Sequence, residues 1–173
     1  MTLAERIADV ALLRGTFTLR SGRTSDYYLD KYLFSTRPEI LRELGAMFAA
    51  RLPEGTTMLA GAELGGIPLV TATSLASGLP CVFIRNQKKD YGTAKRLEGR
   101  VGPEDRVVIV EDVATTGGQA LEAAATIRET GATVLGIIAT IDRLEGAAEN
   151  AAAQEIRFES LFTVRDLGIA PSQ

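Results

Sequence analysis

Apolar residues at Leu3, Ile7, Val10 and Ala11 mark one face of a 3.6-residue repeat and predict a helix over residues 3–13. Gly15 is expected to end it, as a glycine beyond a helix often does. The next stretch, FTLRSGRTSDYYLDKYL from Phe17 to Leu33, alternates imperfectly and is rich in Tyr, Ser and Gly. It reads as extended chain with a turn at Ser21 and Gly22. Residues 38–51 read as a helix with Pro38 in its first turn.

A repeating pattern follows. Residues 57–62 form a short apolar strand, then a Gly-Gly pair, then a helix over about 68–76. Residues 81–85 and 106–110 are further strands, and a second Gly-Gly pair leads into a helix that runs to Arg128. Gly131 stops it, residues 133–141 are a long apolar strand, and residues 162–164 are read as a last one. Strands that are apolar throughout and separated by helices imply a mostly parallel sheet covered on both faces, an α/β fold. The N-terminal third does not fit this alternation. About residues 1–35 are therefore expected to form a small hood subdomain beside a single domain spanning residues 1–173.

Composition narrows the chemistry. The 173 residues are 46% hydrophobic and 24% charged, the balance of a soluble globular domain. Glu5, Arg6 and Asp9 interrupt what would be the apolar core of a signal peptide, and no uncharged apolar run is long enough to span a bilayer. A cytoplasmic location is expected. Cys81, the single cysteine, lies in the apolar run PCVFI and reads as a packed thiol. The chain has no histidine. That removes imidazole bases, Ser-His-Asp triads and His-ligated zinc. The net charge of −3 argues against general nucleic-acid binding.

One polar segment lies between two core strands. From Arg85 to Arg100 it holds Arg85, Lys88, Lys89, Lys95, Arg96 and Arg100 against Asp90 and Glu98, a local excess of four positive charges. A polar loop of this length in a compact domain is usually functional or disordered.

The densest chemistry is VVIVEDVATTGGQA, Val107 to Ala120. An apolar strand runs into Glu111 and Asp112, and Val113, Ala114, Thr115, Thr116, Gly117, Gly118 and Gln119 lead into a helix. Ligands of open parallel sheets bind beyond the carboxyl ends of the strands. Backbone amides at a helix N-terminus suit a phosphate, and glycines let the backbone approach it closely. Carboxylates beside such a cradle suit the hydroxyls of a sugar phosphate. Neither GxxxxGK[ST] nor GxGxxG is present.

The segment resembles the motif of the type I phosphoribosyltransferases: apolar residues, two acids, then a small-residue loop with T-G-G. The resemblance implies that Glu111 and Asp112 hold the ribose hydroxyls of phosphoribosyl diphosphate, and that Ala114 to Gln119 wraps its 5-phosphate. It implies the fold of that family, a central mostly parallel sheet flanked by helices with the N-terminal hood. The family commonly has Asp at the first acid, where this chain has Glu111.

Three further segments resemble the orotate phosphoribosyltransferases in particular. FTLRSGRTSDYYLD is similar to their signature F-x-L-[KR]-S-G-x-x-S-x-Y-[YF], which implies Arg20 at the mouth of the site and Tyr28 near orotate. IRNQKKDYGTAKRLEG is similar to their mobile catalytic loop, with Arg85, Lys89, Tyr91, Gly92, Glu98 and Gly99 in matching places. Asn86 departs, since many members have Lys there. In TIDRLEG, Arg143 matches the residue that binds the orotate carboxylate, with Thr115 also on the base side. Residues 59–69, LAGAELGGIPL, match a loop that contacts the diphosphate.

The resemblance covers roughly residues 15–145. It implies transfer of the 5-phosphoribosyl group to orotate, giving orotidine 5′-monophosphate and diphosphate on the route to UMP. Lys89 and Arg85, with Asp112, would be catalytic, and Lys89, Arg85 and Tyr91 would contact phosphoribosyl diphosphate. Mg²⁺ would be held mainly by substrate oxygens, with no protein ligand set. A homodimer is implied, the Arg85–Gly99 loop reaching the neighbouring subunit's site. Two other readings compete: a relative acting on a purine, uracil or xanthine, and a regulator of the same fold that binds DNA or RNA. Arg143 and the Phe17–Asp30 signature argue against the first, the net negative charge against the second.

Overall fold

The computed structural model describes residues 1–18, 22, 24–86 and 96–170. Helix α1 (Leu3–Ala11) starts on a capping box, in which Thr2 Oγ1 accepts from the Glu5 N–H at 3.2 Å and Glu5 Oε2 accepts from the Thr2 N–H at 2.7 Å. It ends earlier than its apolar spacing suggests. Strand β1 (Leu12–Thr18) begins at once, with Gly15 inside it rather than beyond a helix. Strand β2 (Thr24–Leu29) pairs with β1 antiparallel, Leu12 opposite Leu29 and Thr18 opposite Thr24. β1 and β2 thus form an antiparallel hairpin, a separate two-stranded sheet that begins before Phe17, while residues 31–33, expected to be extended, are helical. Short helix α2 (Lys31–Ser35) is capped by Asp30, whose Oδ1 accepts from the Tyr32 N–H at 3.1 Å. Helix α3 (Pro38–Ala49) has Pro38 in its first turn, as read from sequence.

The remaining elements are β3 (Met58–Ala62), α4 (Gly66–Ser77), β4 (Cys81–Ile84), β5 (Leu97–Glu98), β6 (Arg106–Ala114), α5 (Gly118–Arg128), β7 (Thr133–Asp142), α6 (Ala147–Ala152) and β8 (Phe158–Thr163). A 3₁₀ turn, Val164–Leu167, follows. The six-stranded sheet has the order β5-β4-β3-β6-β7-β8. All its neighbours are parallel except the edge pair β4–β5.

Two cores explain why the strands are apolar throughout. Val108 and Val110 of β6 pack with Leu59, Leu69, Val70, Leu44 and Phe48 on the α3–α4 side. Val107 and Ile109 pack with Ala60, Ala120, Ala124 and Ile127 on the α5 side. Each Val, Leu, Ile or Phe among them contributes about 1.5–3 kcal/mol when fully buried. Alternation along β6 therefore feeds both faces.

The chain order fixes where a ligand can sit. From β3 the chain moves outward to β4, then returns past β3 to β6 and continues to β7 and β8 on the other side. The connections diverge at the carboxyl ends of β3 and β6. Open parallel sheets bind ligands at such a switch point, because the diverging connections leave a crevice there.

Candidate active site

Strand β6 carries the acids into this crevice. It runs four residues further than its apolar pattern predicts, because backbone pairing with β7 continues through Glu111–Ala139, Val113–Ile141 and Ala114–Asp142. Glu111 and Asp112 are therefore strand residues, 5% and 2% exposed. Glu111 Oε1 folds back to accept the Asp112 N–H at 2.9 Å. Asp112 Oδ1 accepts the Val113 N–H at 2.5 Å, and its Oδ2 lies 2.8 Å from Lys31 Nζ.

Two buried carboxylates beside one ammonium make a charged cluster in low dielectric. Burial first, then the charge of Asp112 and a hydrogen bond with it, push Glu111 up to about 8. For Lys31, burial opposes the charge. The attraction and hydrogen bond of Asp112 outweigh it and hold Lys31 above its ordinary value.

Beyond β6 the chain makes a short exposed turn. Thr115 and Thr116 face solvent, and Gly117 takes φ +79°, where its αL conformation suits a residue without Cβ. A Cβ there would also stand 3.3 Å from the Ala147 side chain. No side chain caps α5, so its first N–H groups are open to a ligand. An open cleft of about 70 Å³ lies between this turn and Glu111, lined also by Val113, Gly118 and Gln119. Asn150 on α6 braces the turn from behind, its Nδ2 donating to the Thr116 carbonyl at 2.9 Å.

The β3–α4 turn closes the other side. Gly65 packs so near Asp112 that a Cβ would fall 1.5 Å from Oδ2. The Glu63–Leu64 peptide is cis. Gln119 Nε2 donates to the Glu63 carbonyl at 2.9 Å and to Asn86 Oδ1 at 3.4 Å, and the Asn86 N–H donates to Glu63 Oε1 at 2.6 Å. These bonds join the ends of β3 and β4 to α5. Arg85 lies 3.8 Å from Glu98 of the edge strand, and its N–H donates to the Arg96 carbonyl at 2.7 Å.

At the end of β7, Arg143 completes the rim. Its N–H donates to the Ala114 carbonyl at 2.9 Å, and its Nε stands 3.1 Å from Glu145. Its Nη2 donates to the Tyr27 hydroxyl at 3.1 Å, and its guanidinium sits 5.8 Å from the Tyr27 ring centre. The hairpin thereby touches the sheet's ligand edge.

Residues 36–158 match the phosphoribosyl transferase domain family. The orotate phosphoribosyltransferase of Halobacterium salinarum is 48% identical over 95% of this chain and 93% of its own length. The chain belongs to the orotate phosphoribosyltransferase family. Orotate phosphoribosyltransferase of Mycobacterium tuberculosis H37Rv, in complex with Fe(III) dicitrate, superposes with a TM-score of 0.85 at 31% identity, covering 96% of this chain and 97% of the other. The same enzyme in complex with 5-phospho-α-D-ribosyl 1-diphosphate gives 0.80 at 31% identity, with the same coverage.

For an orotate phosphoribosyltransferase family member, the residues singled out in the sequence fall into three groups. Glu111 to Gln119 and Arg143 come together around the β6–α5 crevice. Tyr28 stands on the hairpin, half exposed, its ring 5.7 Å from that of Phe17, and its neighbour Tyr27 is the one that meets Arg143. Arg20, Lys89 and Tyr91 lie outside the described residues. Arg85, at the start of the basic segment, lies at the end of β4. Sequence reasoning missed Lys31, Tyr27 and Asn150. Asp30 before a short helix was the available signal for Lys31, since a helix cap fixes the direction of the residue after it.

Proposed function

We propose that this chain transfers the 5-phosphoribosyl group from phosphoribosyl diphosphate to orotate, releasing orotidine 5′-monophosphate and diphosphate in UMP biosynthesis. The observation that carries the reading is the uncapped α5 N-terminus beside the Glu111–Asp112 pair, in the crevice between β3 and β6. The turn from Ala114 to Gln119 cradles the 5-phosphate through backbone N–H groups and the hydroxyls of Thr115 and Thr116. Glu111 and Asp112 receive the ribose hydroxyls. Orotate lies on the hairpin side, its carboxylate on Arg143, with Thr115, Arg20 and Tyr28 around the ring.

Orotate is already an anion, so no strong base is needed, in keeping with a chain that has no histidine. The difficult event is departure of diphosphate from the anomeric carbon, through a transition state with oxocarbenium character. Lys89, aided by Arg85, neutralises the growing charge on the leaving group, and Tyr91 contacts phosphoribosyl diphosphate. Mg²⁺ would be held mainly by substrate oxygens and would supply further neutralisation of the diphosphate charge. Among the described residues no group of three or more His, Cys, Asp or Glu could hold a metal.

The working unit is proposed to be a cytoplasmic homodimer with the Arg85–Gly99 loop shared between sites. Among the described residues no helix is long and apolar enough to cross a membrane. Mixing a Lys89→Ala chain with an Asp112→Asn chain tests the sharing: recovered activity supports it, and none argues for self-contained sites. Transfer itself is tested by diphosphate release from phosphoribosyl diphosphate and Mg²⁺. Release that requires orotate supports the reading, and equal release without orotate makes the protein a hydrolase instead.

A further inference from the structure

Lys31 stands outside every segment that marks the family in this sequence, yet among the described residues it is the cation paired with the acid pair. Its Nζ lies 2.8 Å from Asp112 Oδ2. The Asp112 side chain is 3% exposed, and that of Lys31 is 32% exposed. Each oxygen of Asp112 has a defined neighbour: Oδ1 holds the Val113 N–H at 2.5 Å, and Oδ2 lies between Lys31 and the bare backbone of Gly65.

Lys31 is well placed to hold this geometry. It is the first residue of α2, directly after the Asp30 cap. The Asp30 N–H donates to the Ala11 carbonyl at 2.9 Å, which ties the cap to α1. Phe34 and Ser35 bury the far end of α2, and Lys31 Nζ lies 5.7 Å from the Tyr32 ring centre. The ammonium therefore comes from the N-terminal part of the chain and ends on the central strand.

Among the described residues, three other charged groups at the ligand edge of the sheet have partners of their own. Glu63, from the β3–α4 turn, accepts the Asn86 N–H, Asp142 of β7 accepts the Leu144 N–H, and Arg143 pairs with Glu145. Among the described residues, two buried carboxylates thus share one cation. A buried charge without a partner is strongly unfavourable, so this cation is central to how the pair is held.

We infer that Lys31 is a positioning residue for phosphoribosyl diphosphate: it holds Asp112 as an oriented carboxylate, so that docking of the N-terminal hairpin and α2 completes the ribose subsite. The inference rests on the proposed role of Asp112 at the ribose. The raised proton affinity of Glu111, from burial and then from Asp112, agrees with a crowded acid pair that needs a nearby cation. Lys31 does not touch orotate or the diphosphate in this account. Its loss should separate the two substrates.

The experiment is steady-state kinetics of Lys31→Met, Lys31→Gln and Lys31→Arg, varying each substrate and pH. Lys31→Met keeps most of the apolar stem and removes the charge. The expected result is a rise of at least about tenfold in KM for phosphoribosyl diphosphate, with KM for orotate within about twofold of wild type. The acid limb of kcat/KM for phosphoribosyl diphosphate should move to higher pH, because the Lys31 charge lowers the proton affinity of Glu111 and its loss raises it. Lys31→Arg should recover part of both effects. Lys31→Gln, which still offers an N–H donor, serves if the Met variant does not fold, and should shift the same two quantities. An unmoved acid limb with an unchanged KM for phosphoribosyl diphosphate would overturn the inference. So would parallel loss for both substrates without recovery by Arg, the pattern of a merely structural lysine. Failure of the wild-type protein to use phosphoribosyl diphosphate would overturn the proposed function itself, and is separately visible.

Discussion

Asn150 Nδ2 donates to the carbonyl oxygen of Thr116 at 2.9 Å, so α6 fixes one peptide plane of the turn that faces the ligand crevice. The N–H of a trans peptide points opposite to its carbonyl. Holding the Thr116 carbonyl against α6 therefore directs the Gly117 N–H away from α6. Asn150→Ala should raise KM for phosphoribosyl diphosphate about tenfold, the value of roughly one hydrogen bond, and lower stability by about 1 kcal/mol. Kinetics with varied phosphoribosyl diphosphate give the answer. An unchanged KM would show that the turn needs no brace.

Arg143 should act on the other substrate. Its guanidinium lies against Tyr27 and 3.1 Å from Glu145, which leaves its direction fixed before orotate arrives. Arg143→Ala is expected to raise KM for orotate by about 10- to 100-fold, the loss of a charge-assisted pair worth about 1.5–3 kcal/mol. Lys at this position should restore little, because it cannot match a carboxylate in two places. A variant that loses phosphoribosyl diphosphate affinity instead would move Arg143 to a different part of the site.

Glu111 makes stability depend on pH. Its folded value of about 8 lies above its ordinary 4.5, chiefly through burial and then through Asp112. Between these values the folded protein binds the extra proton. Stability is then lost as pH rises through the window from about 4.5 to about 8. Glu111→Gln, neutral throughout, should gain steadily on wild type in urea unfolding from pH 5 to pH 8. Parallel curves for the two proteins would contradict a buried, proton-holding Glu111.

These cases also show which parts of the protein its sequence discloses. The alternating apolar strands and helices disclosed the parallel sheet, because burial on two faces leaves a continuous hydrophobic run. The end of β6 was read at Val110, whereas pairing with β7 carries the strand to Ala114. Acids resemble a loop when only hydrophobicity is read, and hydrogen bonding to a neighbour strand has no local signature. Gly15 was read as a helix stop for a similar reason: pairing of β1 with β2 decides its place. The phosphate turn was legible because Thr-Thr-Gly-Gly must lie together in sequence to serve one ligand. Lys31, Tyr27 and Asn150 were not, since each meets its partner only through the tertiary fold.

Lys89 is assigned to the leaving group on family resemblance and on the basic character of its segment. Lys89→Ala should lower turnover at least about 100-fold, the scale for one preorganised charge or proton donor, with the fold intact. Circular dichroism checks the fold and initial rates check the turnover. Near-normal turnover would remove Lys89 from the chemistry.

The central claim is that this site joins orotate, and no other base, to phosphoribosyl diphosphate. The most direct test follows the absorbance of orotate with phosphoribosyl diphosphate and Mg²⁺, beside parallel reactions with uracil, xanthine and adenine. The account predicts loss of orotate absorbance and no consumption of the other three. Activity on a purine or on uracil, with orotate untouched, would contradict it.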